Sequence, residues 1–171
     1  MSAGHLVKRF FGSVVPRNPR PVDAAWAEAQ LLPEELELWR RLSKPDRCHA
    51  AGVARRVERA LGADAARPVL AAALLHDVGK IDSGLGTYGR VIATLSGKVA
   101  GHSKAAARSE GGGFTGKVGL YLLHDELGAA MLEQAGSDPL TVRWAREHHL
   151  REQEWTVPAA VGRALKDADD D

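Results

Sequence analysis

The run VLAAALLHDVGK, residues 69–80, is apolar for seven residues and then carries a histidine and an aspartate side by side. A helix with no polar face must be covered by other elements on every side. This run therefore belongs at the centre of whatever the chain builds. Ionisable groups at such a place are costly unless paired. His76 and Asp77 therefore need partners.

The remaining sequence offers helices for that purpose. Pro33 opens one, with Leu32, Leu36 and Trp39 on one face and Glu34, Glu35, Arg40 and Arg41 elsewhere. SKPDRCHAAGVARRVERALG starts a helix near Pro45 and stops it at Gly62. GLYLLHDELGAAMLEQAG closes at Gly136, and Ser137 or Asp138 caps a helix begun by Pro139. VPAAVGRALKDADDD supplies the last. No run alternates with period two, so the expected fold is all-α. With 171 residues, one domain is expected. Residues 1–22, with prolines at 16, 19 and 21, form an irregular N-terminal segment before it.

Composition narrows the function. Alanine dominates the 44% of hydrophobic residues and aromatics are only 5%, which suits closely packed helices. A net charge of +1 gives no reason to expect duplex nucleic acid or an acidic membrane as partner. No apolar run approaches the ~20 residues of a membrane span. HLVKRFFGSVV, near the start, is basic and apolar but lacks the features of a signal peptide. Cys48, the single cysteine, excludes an internal disulfide. Together these fit a cytoplasmic protein. Residues 82–119 differ from the rest: they hold ten of the eighteen glycines, with Arg90, Lys98, Lys104, Arg108 and Lys117 against Asp82 and Glu110. Such an insertion reads either as a mobile lid or as a solvated loop.

Helical register selects the polar residues that face inward. His49 is in line with Val53, Val57 and Leu61, and His124 with Leu120, Leu127 and Met131. Val142 and Ala145 lead to His149, and Thr141 and Ala145 lead to His148, with Arg143, Arg146 and Glu147 on the other side. Asp169 is in line with Val161 and Leu165, whereas Asp167 follows Arg163 on the polar face. One inward histidine is ordinary. Five helices that each aim a histidine or aspartate inward must either have each group hydrogen-bonded separately or share divalent metal ions, which satisfy imidazoles and carboxylates together.

The order His49, His76-Asp77, His124, His148-His149, Asp169 resembles that of the HD superfamily of metal-dependent phosphohydrolases. HDVGK is similar to the motif HDIGK. HDELGAAML resembles HPxxGAxxL of the two-metal branch, AREHH its paired histidines, and LKDAD its closing aspartate motif. The likeness covers about residues 40–171 and implies an all-α HD bundle over residues 23–171, with the Gly-rich insertion after the HD helix. It also implies that His49, His76, Asp77 and Asp169 hold one metal. Asp77 would bridge to a second metal, held by His124 and by His148, His149 or both. Lys80 matches the motif lysine, which in relatives contacts substrate phosphate. Pro45 stands where three-metal relatives have glutamate, which favours two metals. The GYP signature of cyclic di-GMP phosphodiesterases is missing, with GLGTYGR in part of that region.

The resemblance implies hydrolysis of a phosphate mono- or diester, with a nucleotide as the expected small phosphorylated substrate. A hydroxide shared by two metals would attack phosphorus. Asp77 and Lys80 are the expected catalytic residues, and Lys80, Arg90 and Lys98 the expected substrate-binding ones. Iron, manganese, nickel, cobalt and zinc all suit mixed imidazole and carboxylate ligands. Two alternatives stand beside this reading. One is a dinucleoside tetraphosphate hydrolase of the HD type. The other is a metal-stabilised module that binds a nucleotide or a protein without turnover.

Overall fold

A computed structural model describes residues 21–83 and 123–171, and within them every regular element is helical. Arg90, Lys98 and most of the Gly-rich region lie outside the described residues, as do residues 1–20. The first helix, α1 (Pro21–Glu28), begins two residues inside the stretch expected to be irregular. Proline is tolerated at a first helical position because its missing N–H has no partner to lose there. After it come α2 (Pro33–Arg41), α3 (Lys44–Leu61) and α4 (Arg67–Leu75). A short α5 (Lys80–Ser83) precedes the undescribed region. Beyond that lie α6 (His124–Gln134), α7 (Pro139–Glu147) and α8 (Ala159–Asp170).

The apolar run is the centre, as its composition requires. All of Val69–Leu75 on α4 is buried. The flanking helices α3 and α7 pack on it, α6 packs on α7, and α8 packs on α3. Ser43 caps α3, accepting from the Asp46 N–H, and Gly62 ends it at φ 55°. Asp138 caps α7 by accepting from the Leu140 N–H. Gly136, at φ 67°, closes α6 while the Ser137 N–H donates back to the Leu132 carbonyl at 3.0 Å.

Two acidic residues assigned to polar faces are in fact buried. Glu35 is fully enclosed, where it accepts from the Leu32 N–H at 2.8 Å and from Arg67 at 3.3 Å. It thus caps α2 and ties it to the start of α4. Glu147 is also enclosed and accepts from the Thr156 N–H at 2.7 Å and from its hydroxyl at 2.5 Å. Donors meet both oxygens of Glu147, whereas Glu35 takes both of its bonds on Oε2. The apolar stripe of α6 is shifted too: Leu127 and Met131 are only partly buried, and the enclosed residues are His124, Asp125, Gly128, Ala129 and Leu132.

Candidate metal centre

The helix α4 ends at Leu75, so the His-Asp pair sits just past it. Residues 76–79 form a turn in which the Val78 N–H donates to Leu75 and the Lys80 N–H to Asp77, both at 3.0 Å. Gly79 presses that turn against α6. A Cβ on Gly79 would lie 1.9 Å from the His124 carbonyl oxygen and 2.6 Å from the Gly128 nitrogen. Two glycines facing each other let the backbones approach this closely, and the approach sets His124 beside Asp77.

The candidate ligands form two groups around Asp77. His49, His76 and Asp169 make one, and His124, His148 and His149 the other; within each, the potential ligand atoms lie within 4.8 Å of one another. Asp77 stands between them. Its Oδ2 is 3.5 Å from His76 Nε2, while its Oδ1 is 3.4 Å from His124 Nε2 and 3.7 Å from His148 Nε2. Asp169 Oδ1 lies 2.9 Å from His49 Nε2 and 3.6 Å from His76 Nε2. His149 Nε2 is 3.2 Å from His124 Nε2. The structure thus brings together all seven residues that register and resemblance single out. Asp167 is exposed.

Backbone carbonyls aim the central imidazoles. His76 Nδ1–H donates to the Ala73 carbonyl at 3.0 Å, and His148 Nδ1–H to that of Ala145 at 2.9 Å. Each ring therefore turns its Nε2 into the site, the usual outer support of a ligating histidine.

Charge is distributed unevenly. Burial disfavours the charged form of His148 and lowers its pKa, with Asp77 only partly opposing. Burial likewise pushes His149 down, helped by His148 and His124, to about 2. As a residue, His149 stands at the exposed edge of the site. Burial also opposes charge on His76, but Asp77 and Asp169 outweigh it and raise its pKa. For Asp77, burial works against ionisation, yet Lys80 and His76 hold it well below the usual carboxylate range. Lys80 donates directly to Asp77 Oδ2.

This donor set fits a cation. Among the described residues, His148 Nε2 is buried without a hydrogen-bond partner. With Nδ1 protonated and the ring neutral, Nε2 presents a lone pair toward an ionised Asp77 oxygen. Two facing acceptors repel unless a positive centre lies between them.

The comparisons with known proteins agree with this chemistry. The family model of the HD domain matches residues 48–170, which include all seven candidate ligands and Lys80. The chain belongs to the HD-domain family. HD domains are all-α, bind divalent metals and form a superfamily of metal-dependent phosphohydrolases. No curated protein and no solved structure matches this HD domain. Helices α1 and α2 precede the matched span. No described helix is long and apolar enough to cross a membrane.

Arg56 was not singled out by the sequence reading. It lies two turns after His49 on α3, and its Nε–H donates to the Ala168 carbonyl at 2.8 Å. The seven-residue spacing from His49 is the signal that would have found it.

Proposed function

We propose that this HD domain hydrolyses a phosphate mono- or diester, with a nucleotide as substrate, at a centre of two divalent transition-metal ions. The observation that carries the reading is Asp77, whose two oxygens face separate three-residue groups. His49, His76 and Asp169 would hold one ion and His124, His148 and His149 the other, with Asp77 shared. When bound, such ions stabilise negative charge on phosphoryl oxygens and make water a stronger nucleophile near neutral pH.

The chain's own groups prepare the site for that chemistry. The Ala73 and Ala145 carbonyls fix two imidazoles before any ligand arrives, which limits reorganisation. Lys80, now on Asp77 Oδ2, is one turn beyond the pair. Its ammonium can move to a phosphoryl oxygen beside Asp77 and neutralise the charge that develops there. His149, exposed at the edge of the second group, leaves that side open for a substrate.

Metal analysis of chain purified without chelator, followed by a screen of nucleotides, dinucleoside polyphosphates and cyclic dinucleotides, tests the proposal. Two ions per chain and turnover of one class are expected. Asp77→Ala should lower metal content more than His124→Ala, because only Asp77 serves both groups. Equal losses would remove Asp77 from the shared position. Bound metal with no turnover of any phosphoester would leave a binding module in place of an enzyme.

A further inference from the structure

Asp169 occupies the last turn of α8, where the final carbonyls lack intrahelical partners and a helix readily frays. An aspartate there makes a poor ligand unless something holds the turn. Its bond to His49 Nε2, at 2.9 Å, cannot be that support once a cation takes both atoms. Arg56 provides a different tie. Its Nε–H donates 2.8 Å to the carbonyl of Ala168, the residue before Asp169. The contact gives the Ala168 carbonyl a side-chain donor and sets a positive charge near the C-terminal end of α8. The Arg56 guanidinium also folds back along α3, with Nη1 3.4 Å from where a Cβ on Gly52 would stand. Gly52 lies between Arg56 and His49 on that helix. One helix thus carries both a candidate ligand, His49, and the group that grips the helix end bearing another.

We propose that Arg56 is a positioning residue that holds Asp169 in the His49–His76–Asp169 group. The proposal rests on the metal-binding reading above, but its first readout does not require metal. In metal-free protein, Arg56→Gln should shift the imidazole resonances of His49, whose partner is Asp169, and leave those of His148 and His149 in place. An unchanged His49 signal overturns the proposal. The second readout is a Mn2+ titration. Arg56→Gln should weaken one of the two equivalents by about tenfold or more, the usual effect of losing an outer support, and leave the other as in the parent. Arg56→Lys, which keeps a charged donor, should recover part of that affinity. Equal weakening of both equivalents would mean a merely structural role and would also overturn it. A parent chain that binds no Mn2+ would count against the metal centre, while the His49 signal would still decide the place of Arg56.

Discussion

Asp167 and Asp169 are two positions apart in the last turn of α8, yet one is exposed and the other buried against His49 and His76. Asp169→Ala should cost the chain one metal equivalent and its activity. Asp167→Ala should leave both intact and change stability by less than about 0.5 kcal/mol, as surface substitutions do. Inactivity of the Asp167 variant would mean that the register of α8 is wrong. The distinction was legible in the sequence because Asp169 falls in line with Val161 and Leu165. Glu35 and Glu147 were not legible, because a charged residue reads as solvated until its distant donors are seen. Lys80 belongs at this scale too. A lysine that meets charge developing on phosphorus acts on the transition state more than on binding. Lys80→Ala should therefore lower kcat tens to hundreds of fold, about 2–3 kcal/mol, with metal content preserved. An unchanged kcat would remove Lys80 from the mechanism.

The contact between the His-Asp turn and α6 has no counterpart in local sequence pattern. HDVGK reads as the end of a helix, whereas α4 stops at Leu75 and Gly79 packs on the His124 carbonyl and the Gly128 nitrogen. Nothing in residues 69–80 tells which later backbone will lie that close. A helix's face can be read from its own periodicity, and its neighbours cannot. Two glycine substitutions separate the effects of crowding and of backbone conformation. Gly79→Ala sets a Cβ against backbone atoms that cannot rotate away, so the turn and α6 must part. The expected loss is about 3 kcal/mol, at the upper end for overpacking, and His124 should move away from Asp77 with a fall in metal content. Gly136→Ala meets nothing within 4 Å among the described residues but keeps a φ of 67°, so it should cost only about 1 kcal/mol and spare the metal. Urea unfolding of both variants, with metal analysis, gives the comparison. Equal losses would mean that the close approach at Gly79 is not what joins these elements.

At the scale of the whole molecule, the buried site couples stability to pH, and the two kinds of histidine act on opposite sides of one value. Unfolded, each imidazole titrates near 6.5. In the folded metal-free chain, His148 and His149 stay neutral below that value, so the unfolded chain takes up more protons as the solution becomes acidic. Stability must then fall below about pH 6.5. His148 carries most of this trend, because solvent screens the exposed His149. Asp77, with its pKa depressed, adds a further loss as pH falls below 3.8 toward its folded value. His76 behaves in the reverse sense. Its raised pKa gives stability that is complete below 6.5 and is lost as pH rises through the folded value. Metal-free protein should therefore be most stable close to pH 6.5 and weaken on either side. Metal held by His76 would change the alkaline limb, because it would take the place of the proton that stabilises the folded chain there. Metal binding also adds stability by mass action, about 2.7 kcal/mol for one site at a hundredfold excess over Kd. Because its ligands must be deprotonated, that addition grows with pH. Urea unfolding from pH 5 to 9, with chelator and then with Mn2+, should thus show a maximum near 6.5 that moves upward on metal addition. A steady rise from pH 5 to 9 without metal would mean that Asp77 and Asp169 do not hold a proton on His76.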